Sequence, residues 1–261
     1  MIRFSIITVV FNGELLLEDT ILSVLNQTYQ HIEYIIVDGA SRDGTLSVIQ
    51  KYAQQFDNQL NTPFDFRWMS ERDKGLYDAM NKGQRLATGD FILFLNAGDH
   101  LFAPDTLEKM AAQVTPDTDI LYGEVMWVDA GRRHLGTRSQ MTTQQLPVAL
   151  DWKSMRYGMV VCHQAFLPRR TIAPTYLENN LSADIDWVIQ CLKRARKVQS
   201  TQLILAEFLT GGISKQKHRQ SLMDRYVVLK THFGWWANLG AHVYIVWRAL
   251  LPFFTQKGLF L

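Results

Sequence analysis

Cysteine is almost missing from this chain: only Cys162 and Cys191 occur among 261 residues. So few, and without metal-type spacing, they exclude a disulfide framework and a cysteine zinc site and point to a reduced, cytosolic compartment. An excess of one charge is missing too. The net charge is +2, which gives no general affinity for nucleic acid. No G-x-G-x-x-G follows an early apolar run and no P-loop is present, so neither glycine cradle for phosphate applies. There is no internal repeat and no low-complexity linker. A long uninterrupted hydrophobic run is also lacking. The most apolar stretch, FGWWANLGAHVYIVWRALLPFF, carries Asn238, His242, Arg248 and Pro252, whereas a bilayer span needs about 20 predominantly apolar residues. The opening MIRFSIITVVFNG is broken by Ser5 and Thr8 and has no small-residue cleavage site, so it reads as a first core strand rather than a signal peptide.

What is present is ordinary globular material, 47% hydrophobic and 20% charged, in a chain long enough for one large α/β unit with an extension. Residues 4–10 and 32–38 are short apolar runs ended by turn residues, as expected of strands buried on both faces. Leu17, Ile21, Val24 and Leu25 recur at helical spacing, as do Leu46, Ile49, Ala53 and Phe56 after Thr45. A short strand at 66–71, a helix in GLYDAMNKGQRLA and a strand at 91–95 continue the alternation. Alternation of this kind predicts a mostly parallel sheet flanked by helices, with right-handed crossovers. Ligands of such sheets bind outside the carboxyl ends of the strands, and three of those ends carry Asn12, Asp38 and Asp99. From residue 120 the pattern changes. DILYGEVMWVD predicts a strand that RRHLGT can pair with, GMVVCHQAFLPRR reads as a strand-like run, ADIDWVIQCLKRARK as a helix and QLILAEFLTGGIS as a strand.

The run FILFLNAGD delivers a carboxylate, Asp99, to the tip of a core strand beside the small residues Ala97 and Gly98. A hard divalent cation, Mg²⁺ or Mn²⁺, takes one or two carboxylates and completes its shell with substrate phosphates and water. Asp99 is therefore the candidate metal ligand; the competing reading is a cap or turn residue for the PDTLEKM helix.

In order along the chain, SIITVVFNG, LEDTILSVLNQTYQHIEYIIVDGASRDGT, LYDAMNKG, ATGDFILFLNAGD and ADIDW resemble the motifs of family 2 glycosyltransferases of the GT-A fold, over roughly residues 1–215. The likeness is to bacterial enzymes that assemble colanic acid, O-antigen or capsule. It implies a GT-A catalytic domain at 1–215, with a nucleotide-sugar-binding half (1–100) and an acceptor-binding half (101–215), followed by a helical extension at 216–261. It also implies transfer of a sugar, with inversion, from a nucleotide-diphosphate donor (usually UDP-linked) to a hydroxyl of a glycan or polyprenyl-diphosphate-linked acceptor.

Carried over position by position, Asp99 matches the last acid of the family's DxD element, while Asn96 stands where a first acid is common and is expected to orient ribose or diphosphate. Asp38 matches the first acid of the VDDGS loop and implies a contact to base or ribose; the second acid is replaced by Gly39. Phe11 lies where an aromatic residue stacks on the base, or else fills core. Thr8 and Asn12 are further donor candidates, and Asp73 resembles a donor-facing position or is a solvated turn acid. Asp43 either faces the donor or caps a helix. Asp184 of ADIDW matches the catalytic carboxylate that takes the acceptor's proton, with Asp186 two positions on and directed elsewhere. His163 and Lys215 are candidates for contact with acceptor or diphosphate, His163 also reading as a structural histidine and Lys215 as part of a solvated basic run.

In the extension, Leu222, Tyr226, Leu229 and Phe233 share one helical face. The aromatic segment that follows suits an interfacial helix at the inner face of the cytoplasmic membrane, a helix packed on the catalytic domain, or a homodimer contact. The second class of function left open is a non-catalytic nucleotide-sugar-binding or scaffold protein. A nucleotidyltransferase is disfavoured by the missing glycine-rich basic loop.

Overall fold

The computed structural model describes residues 1–56, 63–211 and 218–245. Its first half alternates strand and helix as the sequence predicts: β1 (Phe4–Val10), α1 (Glu14–Leu25), β2 (Ile32–Asp38), α2 (Thr45–Phe56), β3 (Asp65–Ser70), α3 (Leu76–Leu86) and β4 (Phe91–Phe94). The four strands form a parallel sheet in the order β3-β2-β1-β4. Both faces of the sheet are covered, which is why β1 and β2 are apolar without alternation. Phe4, Ile6, Tyr34 and Ile36 pack with Leu17 and Ile21 of α1 on one side; Ile7, Val9, Ile35 and Val37 pack with Met80 of α3 and Trp187 on the other.

The second half adds β5 (His100–Leu101), α4 (Thr106–Ala111), β6 (Ile120–Val128), β7 (His134–Thr137), α5 (Arg138–Met141), β8 (Phe166–Pro168), α6 (Ala183–Arg194), β9 (Val198–Leu209) and α7 (His218–Phe233). Its sheet runs β5-β9-β6-β7, with β8 also paired to β6. A bridge between Phe91 and Arg169 joins β4 to the start of the loop after β8. The expected strand in GMVVCHQAFLPRR shrinks to Phe166–Pro168, preceded by a 3-10 turn at His163–Ala165. Val160 and Val161 are apolar because they pack into the core beside α6 and α7, not because they pair in a sheet.

α7 docks on α6. Val228 and Leu229 are buried, Phe233 stacks on Trp152 with ring centroids 5.3 Å apart, and Asp224 accepts from the Leu181 backbone N–H at 2.8 Å. Leu222, expected on the inward stripe, is exposed instead, because the polar anchor at Asp224 sets the helix's rotation. Residues 235–245 are again helical, and Trp235, Trp236 and Val243 lie exposed on them.

Candidate active site

Register places the candidate residues on one edge. Val10 pairs with Asp38, and Asp38 with Ser70, so β1, β2 and β3 end together; Ile7 pairs with Phe94, which puts Asn96 to Asp99 beside the same tips.

At the first tips, Asp38 is fully buried and its carboxylate is engaged by its own loop. It accepts from the Ser41 backbone N–H at 3.1 Å, from the Ser41 hydroxyl, and from the Ser70 hydroxyl at 2.6 Å. Asn12 continues the lattice: its N–H donates to Ser41 Oγ at 2.8 Å, and its Oδ1 accepts from the Arg42 N–H at 2.9 Å. Asn12 and Ala40 both adopt left-handed backbone, with φ 51° and 60°. Neither oxygen of Asp38 is exposed, and the residue meets this corner through Ser41. Thr8 is enclosed in the same way. It is fully buried, and its hydroxyl donates to the Leu95 carbonyl at 2.7 Å, fastening β1 to β4. Asp43 behaves as a cap, accepting from the Thr45 N–H at 3.1 Å and from the Glu14 N–H at 3.1 Å.

Phe11, Gly39 and Asp73 meet in one place. Phe11 is 63% exposed at the tip of β1. A Cβ on Gly39 would lie 2.7 Å from Asp73 Oδ2 and 3.3 Å from the Phe11 ring, so glycine at 39 makes room for both. Burial pushes the Asp73 carboxyl up, against the pull of Lys82 at 2.5 Å. Lys82 is itself nearly buried, and also reaches Glu71 at 2.9 Å and the Arg72 carbonyl at 2.9 Å.

The turn after β4 is built around Gly98, whose φ of 101° only glycine adopts readily. The Gly98 N–H donates to Thr20 Oγ1 at 2.9 Å, and the Asp99 N–H to the Asn96 carbonyl at 2.9 Å. Asp99 is 5% exposed, less open than its small neighbours predict. Gln164 Nε2 donates to Oδ2 at 2.8 Å, and the Leu209 N–H donates to Oδ1 at 3.0 Å. Burial nevertheless pushes the carboxyl up to about 7, with these bonds and the Arg132 charge opposing it. Asn96 Nδ2 sits 3.4 Å from His163 Nε2, while Asn96 Oδ1 is buried without a partner. Burial holds His163 down at about 4, so its ring is neutral at physiological pH.

Among the described residues no group of three His, Cys, Asp or Glu side chains is placed to hold a metal ion. The donor set is one carboxylate, with lone pairs still free beyond its two hydrogen bonds, and the orphaned amide oxygen of Asn96. These fit a hard cation that arrives with most of its ligands already on it, and fit poorly a cation the protein must cage alone.

Asp184 stands in the first turn of α6. It accepts from the Ile185 N–H at 2.9 Å, and the nearby Tyr77 hydroxyl, which donates to the Leu181 carbonyl at 3.3 Å, also favours its ionised form, yet burial pushes its carboxyl up to about 6. Asp186 points away, as its spacing predicts, and pairs with His232 Nε2 of α7 at 2.7 Å. Cys162 lies near both acids: burial raises its thiol to about 12, Arg138 opposes, and Asp99 and Asp184 each add to the rise. Lys215 lies outside the described residues.

Gln164, Tyr77, Thr20 and Ser41 support the site without a sequence signal of their own. Thr20, Ser41 and Tyr77 lie inside the motif stretches but are not singled out there, and Gln164 lies outside those motifs, beside His163; each is placed at the site by what it touches.

A parallel four-stranded sheet whose carboxyl edge carries these acids, continued by a mixed second sheet, is the GT-A type of glycosyltransferase fold. Two solved structures share it: Staphylococcus aureus TarS residues 1–349 in complex with UDP (TM-score 0.63, 16% identity, 87% of this chain and 65% of that one), and mannosyltransferase PcManGT from Pyrobaculum calidifontis in complex with GDP-Man and Mn²⁺ (TM-score 0.66, 15% identity, 100% and 81%). The chain thus spans about two thirds of the length of that TarS chain. The family pattern described as glycosyl transferase family 2 matches residues 5–176. A PGL/p-HBAD biosynthesis glycosyltransferase of Mycobacterium bovis (strain BCG / Pasteur 1173P2) is 34% identical over 219 residues, covering 81% of this chain and 78% of that protein. The chain belongs to glycosyl transferase family 2 and is a glycosyltransferase.

Proposed function

We propose that this enzyme moves a sugar from a nucleotide-diphosphate donor to a hydroxyl of a glycan or lipid-linked glycan acceptor in a bacterial surface polysaccharide, with inversion at the anomeric carbon. One observation carries the reading: strand register brings Asp38, Asn96 and Asp99 to one carboxyl edge of the sheet, where Asp99 keeps lone pairs free, while Asp99 and Asp184 both have carboxyls raised by desolvation. They belong to different walls and take different tasks. Asp184, raised to about 6, is matched to a general base that is ionised at neutral pH and still basic enough to accept a hydroxyl proton. Direct attack by an acceptor hydroxyl that Asp184 deprotonates gives inversion, by analogy with inverting glycoside chemistry.

Phe11 offers its exposed face to the base, beside Asp73 and the Asn12–Ser41 lattice, which Asp38 holds from below. Asp99 and the Asn96 amide oxygen would hold Mn²⁺ or Mg²⁺. When bound, such a cation neutralises charge on the departing diphosphate. Neutral His163, against Asn96, accepts or donates a hydrogen bond near that group without adding charge. Lys215 is proposed for the same anion. Trp235, Trp236 and Val243, exposed beyond α7, suit contact with the membrane surface that carries a lipid-linked acceptor. Among the described residues no helix is long and apolar enough to cross it.

The test is a thermal-shift screen of UDP- and GDP-sugars with and without Mn²⁺, followed by a transfer and donor-hydrolysis assay. Stabilisation by one donor, dependent on metal, with turnover abolished in Asp184→Asn but binding kept, is the expected result. Binding without turnover under any donor and acceptor would favour a scaffold.

A further inference from the structure

The turn between β6 and β7 presents one residue in an unusual way. Arg132 adopts left-handed backbone, φ 61°, a conformation that a branched-free but bulky side chain takes only when its surroundings enforce it. Asp129 does the enforcing. Its carbonyl accepts from the Arg132 N–H at 2.9 Å, its Oδ1 accepts from the Gly131 and Arg133 N–H groups at 2.9 and 3.0 Å, and its Oδ2 meets the Arg133 guanidinium at 2.7 Å. Asp129, Gly131, Arg133 and the Arg132 backbone are thus committed to the turn, and only the Arg132 side chain is left out of it.

Its guanidinium is directed inward. Nη1 is buried and has no hydrogen-bond partner, a costly state for a permanently charged donor. The turn stands beside the candidate metal ligand: Val128, at the end of β6, pairs with Leu209, whose N–H holds Asp99 Oδ1 at 3.0 Å, and the Val128 carbonyl accepts from the Thr210 N–H at 3.0 Å. His100 Nε2 is likewise buried without a partner, its other nitrogen facing Glu207 at 3.6 Å. Two buried nitrogens without acceptors, one of them on a fixed cation, thus flank an acid that would carry a metal. Alternation of acid, cation, anion and arginine is the pattern that electrostatics favours around a diphosphate.

We infer that Arg132 is an anion-binding residue of this site, placed to hold a phosphoryl oxygen of the donor's diphosphate from the β6–β7 side. The inference rests on the nucleotide-donor reading above. It goes further in naming a residue outside every motif of the first hundred residues, and in giving the β6–β7 turn a task in binding the leaving group.

Binding is measured by titration calorimetry with UDP and GDP, each beside its nucleoside, in Mn²⁺ and at two salt concentrations. Arg132→Ala is expected to weaken the nucleoside diphosphate at least tenfold, leave the nucleoside unchanged and flatten the salt dependence. Arg132→Lys should recover part of the loss, and the unfolding midpoint of each variant establishes that the turn survives. Unchanged diphosphate affinity in folded Arg132→Ala overturns the assignment while leaving the donor reading intact. Failure of the wild type to bind either nucleoside diphosphate overturns both. An equal loss for nucleoside and diphosphate identifies a merely structural turn residue, and also overturns it.

Discussion

The Gln164 amide donates to Asp99 Oδ2 at 2.8 Å across 65 positions of sequence, and with the Leu209 N–H at 3.0 Å it fixes both oxygens of the buried acid. Hydrogen bonds to the ionised form hold a carboxyl's pKa down. Gln164→Leu removes one such bond, so the Asp99 carboxyl climbs above about 7. The acid limb of the pH profile of kcat/KM should move up by about one unit. A profile that stays in place would show that ionisation of Asp99 does not gate the reaction.

Asp99 also ties stability to pH. Its folded pKa, about 7, lies above its unfolded value near 4. Between those values the unfolded chain releases a proton that the native chain keeps, so the contribution present at pH 4 is lost as pH rises through 7. Asp99→Asn removes this dependence. Without divalent cation it should be more stable than wild type at pH 8, by up to about 4 kcal/mol, and nearly equal at pH 4. Urea unfolding at the two pH values checks this. The same variant should lose stabilisation by Mn²⁺ with nucleotide.

Asp184→Asn keeps the shape of the base and removes its proton affinity. We expect kcat to fall by roughly 10²–10⁴-fold with little change in the donor's KM. In the wild type, kcat should drop below about pH 6, because Asp184 must be ionised to accept the acceptor's proton. Steady-state kinetics from pH 5 to 8 would refute the assignment if activity held up at the acid end.

Gly39→Ala puts a methyl group 2.7 Å from Asp73 Oδ2 and 3.3 Å from the Phe11 ring. Asp73 must move, and Lys82 with it. The expected outcome is a rise of about tenfold in the donor's KM, against a stability loss of about 1 kcal/mol. If donor binding is unchanged, the Phe11–Asp73 corner is not where the base sits.

His232→Ala breaks the 2.7 Å contact that pins α7 to Asp186 on α6. The buried Asp186 keeps Gln190 at 2.7 Å but loses its α7 partner. Unfolding free energy should fall by about 2 kcal/mol with the donor's KM unchanged. A native midpoint in thermal denaturation would mean that the apolar contacts and the Asp224 anchor hold α7 without His232.

Periodicity and punctuation made the scaffold legible. β2 begins and ends where its apolar run does, and the acids at the ends of β2 and β4 share one edge because strand ends in a parallel sheet must. The same feature hid the finer detail. A strand buried on both faces shows no alternation, so Thr8 reads like any other tip residue although its hydroxyl is spent on Leu95. Asp38 looks like a ligand acid because nothing local reveals that Ser41 and Ser70 will enclose it. Val160 and Val161 suggest a strand because burial by helices and burial by strands leave the same composition. Gln164 and Arg132 gain their importance from chain crossings that no spacing rule encodes.

Asn12 and Ala40 share a further consequence. Both hold a left-handed twist within the protein's own hydrogen bonds, and Ser41 is locked between them and Asp38. The conformational penalty of shaping this corner falls on folding, where the whole core meets it. A donor that docks there finds a rigid seat and surrenders little of its binding free energy to ordering the protein.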